Sequence, residues 1–412
     1  MIIAVPYGIE SELGQITTNA HKITNGSENH ISYSTGSDFF ETTAPREKFK
    51  SKRFMELAIE LSQDVSVRRA SYLLNRLRLE ERGISPTTYR NTIEREGIAI
   101  QKYIEKKCEE ILLDNGFDSN GKLQVAEEFI ANEKQHIEQV VIENAAIEMN
   151  ILDYEASDYE LPSETVNISI DDVGVKRQIE MRPKDELKYQ AKRVNNTIIH
   201  VQSGKKTYTL NASCIASCLK MLIGFLLFNG LLKNQIVIFA DGARDINSLV
   251  KKLLHFANFK IILDWYHLEK KFKEELSRAL RNREIRNRIF EEIRPYLWYG
   301  NVHGAIKLLK NIEPKNIKNF DTITYLMEYL YRVQDTIPCY ALRKQLGLRN
   351  SSNLGEKAND LIVSSRQKHN GMSWSNNGSL AFATLSTTSR NSEIVHWLNC
   401  RDINFTMAGY VA

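Results

Sequence analysis

The feature that most constrains this chain is a change of hydrophobic period at residue 166. The stretch "VNISIDDVGVKRQ" (166–178) alternates apolar and polar residues, then meets two aspartates. That is the period of a half-buried strand. "NNTIIHVQSGKKTYTLN" (195–211) follows, with two β-rich runs around Ser-Gly-Lys-Lys, the pattern of a hairpin. An apolar segment, 213–228, reads as a core helix. "QIVIFADGARDI" (235–246) then places five apolar residues in six positions directly before Asp241, which reads as a buried strand. "ARDINSLVKKLLHF" (243–256) reads as a helix and "FKIILDWYH" (259–267) as a second buried strand. The order β-β-β-α-β-α-β opens with an antiparallel meander and goes on through helical crossovers. It predicts an α/β fold, a mixed sheet with helices on its faces.

Three carboxylates stand out by position. Asp241 ends the fourth strand, where open α/β sheets place their chemistry; the competing reading is a turn, because Asp-Gly is a common turn dipeptide. Asp171 lies near the end of the first strand. Asp172 stands beside it, and the following Val-Gly-Val favours Asp171. Glu356 falls early on a late helix, a place where the helix macrodipole alone favours an acid. If the first and fourth strands are neighbours, both aspartates reach one sheet edge, and a crossing helix adds the glutamate. Three hard oxygen ligands without a soft one suit Mg²⁺ or Mn²⁺. Like charges this close stay ionised together only with a cation among them. Two such ions stabilise the attacking and leaving oxygens of a phosphoryl transfer.

The flanking regions read as follows. Residues 1–45 are polar and suggest a loosely ordered N-terminal arm. Residues 46–110 begin with a basic run and then show helical periodicity through Val67, Ala70, Leu73, Leu74 and Leu77. Ser85 caps a further helix with Pro86 at its first position and Gly97 as its stop. Two helices about a glycine-containing turn describe a helix-turn-helix. Its second helix would present Thr87, Thr88, Arg90, Asn91 and Arg95 to phosphates and base edges; the alternative is a helical hairpin with solvated charges. Residues 111–165 read as a helical connector and 268–350 as almost entirely helical. Within the last part, 351–412, Glu356 is followed by Arg366, Lys368 and His369, placed to bind phosphate oxygens. Trp374 is a candidate to stack on an unpaired base, against the alternative of a core tryptophan. Asp264 and His267 are candidates to orient the site or hold a phosphate, against a strand-end acid and a satisfied histidine.

Composition adds limits. A formal charge of +4 over 412 residues is too mild to identify a nucleic-acid partner by itself. The five cysteines do not assemble a zinc set and are expected as buried thiols in a reducing, cytoplasmic setting. The longest apolar run (218–232) is broken by Lys220, Asn229 and two glycines. It is too short for a membrane span, so no membrane partner is expected.

Together these motifs resemble the DDE transposases of bacterial insertion sequences, in the branch related to the Mutator transposases. "ISIDDVGV" is similar to that family's first acidic motif, an Asp-Gly-x-x-Val pattern, with Asp172 in the glycine's place; Asp171 and Asp172 both remain candidates for the first ligand. "FADGARDI" resembles the second motif. "LDWYHLEKK" resembles a Cys/Asp-x-x-His motif, carried by Asp264 and His267. "GEKANDLIVSSRQKHNGMSWSNNG" resembles the third acidic region. "VRRASYLLN", with Arg68 and Arg69, and "ISPTTYRNTIEREG" resemble the N-terminal DNA-binding region. The similarity runs from about residue 48 to residue 398. It implies an RNase H-like catalytic core, first part 166–267 and C-terminal part 351–412, split by a helical insertion at 268–350. It also implies two Mg²⁺ or Mn²⁺ ions held by Asp171, Asp241 and Glu356, with Asp264, His267 and Arg366 as accessory groups. The implied partners are the terminal repeats of an element and target DNA, and the implied active form is a homo-oligomer on the nucleoid. The implied reaction is cleavage of element ends and transfer of the 3′-hydroxyl. A non-catalytic DNA-binding protein and a different RNase H-like nuclease remain as alternatives.

Overall fold

A computed structural model of the chain describes residues 2–11, 14–23, 31–35, 38–42, 49–77, 83–118, 121–122, 134–137, 157–178, 192–241, 244–368 and 372–409. The segment expected as a loose arm forms strands instead: β1 (Ile2–Ser11), β2 (Gly14–Ile23), β3 (Ile31–Thr35) and β4 (Asp38–Thr42). With β5 (Phe49–Lys50) they make a five-stranded mixed sheet, in which β1 and β5 are parallel. The physical reason is legible in "IIAVPYGIES", which is mostly apolar, and "GQITTNAHKI", which is mostly polar: both carry the Ile, Val, Tyr and Thr residues favoured in strands.

Three helices follow: α1 (Lys52–Asp64), α2 (Val67–Leu77) and α3 (Pro86–Asp114). The Ser85 side chain accepts from Thr88 N at 3.1 Å with Pro86 at the first position, as the sequence predicts; such a cap contributes about 1 kcal/mol. Gly97 does not stop the helix. A Cβ there would lie 2.8 Å from Ala381 Cα, so the glycine serves a close approach of two backbones. α3 therefore runs on to Asp114. Most of the expected helical connector (111–165) lies outside the described residues; within it, β6 (Lys134–Ile137) and β7 (Ser157–Glu160) pair antiparallel.

The second sheet carries the predicted order of elements. β8 (Val166–Lys176), β9 (Arg193–Ser203) and β10 (Lys206–Ala212) form the antiparallel meander. The apolar helix α4 (Ile215–Phe228) leads to β11 (Ile236–Ala240), and α5 (Arg244–Leu253) leads to β12 (Phe259–Leu263). β11 pairs parallel with both β8 and β12.

A helical block follows: α6 (Trp265–Ala279), α7 (Arg283–Trp298), α8 (Val302–Lys310), α9 (Phe320–Val333) and α10 (Tyr340–Gln345). It has its own apolar core, which includes Leu268, Phe272, Phe290 and Leu326 and takes in Val237, Phe239 and Ile262 of the sheet. The chain returns through α11 (Asn353–Asn359), a π-helical segment (Asp360–Lys368), α12 (Asn376–Arg390) and α13 (Ile394–Cys400). β13 (Ala408–Gly409) closes the far edge, so the six strands run β12-β11-β8-β9-β10-β13.

One hydrophobic cluster joins α1–α3 to this sheet, from Phe54 and Ile93 through Ile168 and Phe225 to Phe405. Polar groups lock the same joint: Gln101 on α3 accepts from Thr384 Oγ1 at 2.9 Å, and Thr384 accepts from Asn211 Nδ2 at 3.0 Å. Cys108, Cys218 and Cys339 are buried free thiols, whereas Cys214 and Cys400 are exposed. Cys214 departs from the expectation because it sits at the N-cap of α4, before the buried face of that helix begins. Among the described residues no helix is long and apolar enough to cross a membrane.

Buried Glu393 anchors the C-terminal segment, accepting from Tyr208 Oη at 3.1 Å and Phe405 N at 2.9 Å. Burial pushes its carboxyl up to about 7. A raised carboxyl stabilises the fold fully below its unfolded pKa, near 4.3, and loses that contribution as pH rises through about 7. The Glu393→Gln variant, neutral throughout, is expected to show a smaller fall in Tm between about pH 5 and pH 8 than the wild type. Parallel Tm profiles for the two proteins would refute this assignment.

Candidate active site at the parallel strand ends

The geometry starts from strand register. The last β11–β8 pair is Phe239 with Ser169. Two residues further along each strand stand Asp241 and Asp171, so they occupy matching places on neighbouring parallel strands, whose axes lie about 4.8 Å apart. Alternation along a strand sets the face. Asp172 lies opposite Thr197, whose hydroxyl donates to it, on the side of the sheet covered by α4. Asp171 takes the other side, where Asn359 Nδ2 donates to its Oδ2 at 2.6 Å. Between the two candidates for a first acid, Asp171 is the one that shares a face with Asp241.

α11 brings Glu356 to that face. Its preceding residue, Gly355, lies against β8: a Cβ there would come within 2.8 Å of Ser169 Oγ. Ser169 and Asp171 are two apart and therefore on one side of the strand. Only a residue without a side chain lets the helix settle this low. At the end of α11 the ladder widens into the π-helical segment, a distortion frequent at functional sites.

Asp264 fixes the entry to α11. It is 1% exposed. Its Oδ1 caps α6, accepting from Tyr266 N at 2.7 Å and His267 N at 3.2 Å. Its Oδ2 accepts from Ser352 Oγ at 2.7 Å and from Ser352 N. Its own amide donates to Ala240 O at 3.0 Å, beside Asp241. Asp264 is thus a positioning group, with its oxygens already committed to protein donors. His267, one turn into α6, reaches Glu356: Nε2 and Oε1 are 2.9 Å apart. The loop before α11 is pinned further by buried Arg343, whose Nη2 donates to Arg349 O at 3.0 Å, and by Asn350 Nδ2, which donates to Tyr340 O at 2.7 Å.

Electrostatics couple these acids in pairs, Asp171 with Asp241 and Asp171 with Glu356. Asp171 opens to solvent on one side but is crowded by protein on the others, and that desolvation, followed by the like charge of Asp241, raises its pKa. Desolvation also raises Glu356; His267 opposes the shift, and Asp264 and Asp171 add to it. Both carboxyls are therefore held in a state that a nearby cation would relieve. Among the described residues no three His, Cys, Asp or Glu groups lie close enough together to hold a metal as the side chains stand, with Glu356 turned to His267.

The other expected residues divide. Arg68, Arg69, Thr87, Thr88, Arg90, Asn91, Arg95 and Lys368 are exposed. Asn75 holds the connection between α2 and α3, accepting from Ile84 N at 2.8 Å and donating to Ile84 O at 2.9 Å. Arg366 does not join the acids. It is 6% exposed, and its Nε donates to Ser62 O on α1 at 2.7 Å. The reason is the π-helical turn, which aims it toward α1. Trp374 is 7% exposed, donates from Nε1 to Gln367 O at 3.1 Å and packs edge-on against Phe382. It is a core residue here and presents no free face to a base. Sequence reasoning missed Asn359 and Ser352. Neither type at those positions signals a role until the helix is seated against β8.

The chain matches no family model and no curated protein.

Replacing Gly355 by Ala is expected to cost about 1–3 kcal/mol in chemical denaturation, the usual range for overpacking. It should also shift the His267 ring resonances as Glu356 is displaced. Unchanged stability together with unchanged His267 signals would show that α11 does not depend on this close approach.

Proposed function

We propose that the chain is a DNA transposase of the DDE type, with an RNase H-like core interrupted by the α6–α10 insertion. The observation that carries this reading is the placement of Asp171, midway along β8, beside Asp241, just past the end of the neighbouring parallel strand β11, with Glu356 laid over the same face by Gly355. The sheet order supports the fold assignment, because the first and fourth strands of the β-β-β-α-β-α-β unit are direct neighbours. The mixed α/β architecture and the intervening helical block agree with it.

The donor set fits a hard divalent cation. All three acids offer oxygen, and burial first, with neighbouring carboxylates second, raises the pKa values of Asp171 and Glu356. Asp171, Asp241 and Glu356 would hold Mg²⁺ or Mn²⁺. The bound ions would supply charge neutralisation at the attacking and leaving oxygens of a phosphodiester. The chain's own groups then have separable tasks. Asn359 holds the Asp171 carboxylate through Oδ2, and the backbone amide of Asp172 also donates to that carboxylate. His267 orients Glu356 and, when protonated, supplies positive charge at the site. Asp264 keeps α6 and α11 together. The exposed residues of α2 and α3, Arg68, Arg69, Thr87, Thr88, Arg90, Asn91 and Arg95, with Lys368 near α12, would contact the phosphate backbone and base edges of the element ends. In this reading the active species is a homo-oligomer that brings two ends together.

The test uses supercoiled DNA carrying the ends of the element, incubated with Mg²⁺ and the full-length chain. Asp241→Asn should lower nicking by several orders of magnitude, roughly the loss seen when one member of a catalytic set is removed, while binding to the same DNA is retained. Equal nicking by this variant would sink the catalytic reading. Products joined to target DNA distinguish transposition from simple hydrolysis.

A further inference from the structure

A cleft of about 430 Å³ lies away from the three acids, between the paired helices α2 and α3 and the turn that precedes α12. Three helix N-termini open onto it. Ser66 precedes α2 and accepts from Arg69 N at 3.3 Å, Pro86 and Thr87 begin α3, and Ser375 caps α12, accepting from Gly378 N at 3.0 Å. Each N-terminus carries about half a positive charge from its aligned peptide dipoles. Arg68, Arg90 and Arg366 also line the cleft; Glu94, on the same wall, sits 3.8 Å from Arg90 and is the one acid among the lining residues.

Arg366 supplies the independent observation. It is 94% buried, its Nη2 has no hydrogen-bond partner, and among the described residues no carboxylate pairs with it. Its hydrogen bonds go to Ser62 O and, at 3.2 Å, to Met372 Sδ. The guanidinium lies beside the edge-to-face pair Trp374 and Phe382, 5.3 and 5.2 Å from their ring centroids. Burial lowers its pKa below the usual guanidinium range. A buried cation without an anion is costly, and a cleft wall of guanidinium groups and helix N-termini is a place an anion would occupy.

We propose that this cleft is a phosphate-binding site, seated by Arg68, Arg90 and the first turns of α2, α3 and α12, with Arg366 as the buried countercharge. The ligand chemistry is a phosphate group, from a nucleic-acid backbone or from a free nucleotide. Only the first of those sources rests on the DNA-binding part of the function proposed above; the site itself does not require the metal-dependent reaction. A backbone phosphate held here would tie the α2–α3 pair to the turn after the Glu356 helix, so that DNA engagement and the seating of that helix become linked.

The experiment titrates inorganic phosphate into the full-length chain, without metal or DNA, against chloride at matched ionic strength, and follows Tm. The wild type should rise with phosphate, as any ligand of the native state requires. The double variant Arg68→Gln, Arg90→Gln, altered at exposed positions, should lose affinity roughly tenfold or more, the equivalent of one charge-assisted contact. Arg366→Lys, which keeps the charge and removes the fork, should also weaken the response. No phosphate-specific rise in the wild type overturns the proposal. So does an equal rise in the double variant, which would mean an adventitious ion only. A duplex displaced by phosphate in the wild type, and bound more weakly by the double variant, identifies the source as nucleic acid. Equal duplex binding by both, with phosphate binding lost in the variant, identifies a free phosphate or nucleotide. Failure of the nicking test leaves every one of these readouts in place.

Discussion

The carboxylate of Asp264 is the joint on which the site depends. It follows β12, caps α6 and receives both donors of Ser352, so two stretches of chain nearly ninety residues apart meet at two oxygen atoms. Leaving so many buried donors unpaired would cost about 1–3 kcal/mol each. The helical block from α6 to α10 is inserted between the second acid and the third, yet its two ends are held together at this one residue. The length of the block then has little influence on where Glu356 lies. Arg343 and Asn350 reinforce the same point by fixing the backbone just before α11.

Two glycines set how closely the layers approach. Gly355 lets α11 rest on β8, and Gly97 lets α3 cross α12. Neither is in a left-handed conformation; each is needed because a neighbouring chain occupies the space of a side chain. Gly355 seats the helix that bears Glu356 against the strand that bears Asp171. Gly97 places the exposed face of α3 at a set distance from the turn containing Trp374. A hydrophobic cluster shared between α1–α3 and the sheet makes these helices part of the same packed body as the acids, which is what allows a cleft between them to have a defined shape.

The charge arrangement separates the acidic site from the cleft beside Arg366. Around Asp171 and Glu356 burial, with the like charge of neighbouring carboxylates added, pushes the carboxyls toward their neutral forms. Around Arg366 the imbalance has the opposite sign, with guanidinium groups and helix N-termini gathered and one carboxylate nearby. The proposed roles follow from that difference, cations at the first and phosphate at the second.

The sequence by itself determined the strand and helix order from Val166 to His267, the Ser85–Pro86 helix start and the helical character of the block after α6. Local period and capping chemistry decide those features, and they act over a few residues. It also singled out Asp171, Asp241 and Glu356 as acids at strand or helix ends. Only the tertiary structure decided that β11 lies beside β8, that Asp171 rather than Asp172 faces Asp241, and that His267 turns to Glu356, because each depends on register between segments distant in the chain. It also decided against the sequence reading where packing overrode a local signal. Gly97 reads as a stop but is a crossing point, and Arg366 reads as a phosphate-binding group beside the acids but is buried against α1; of the two readings of Trp374, stacking platform or core residue, packing selects the core. A glycine, an arginine or a tryptophan carries no local mark of what will pack against it; that is settled only when the neighbouring layers close.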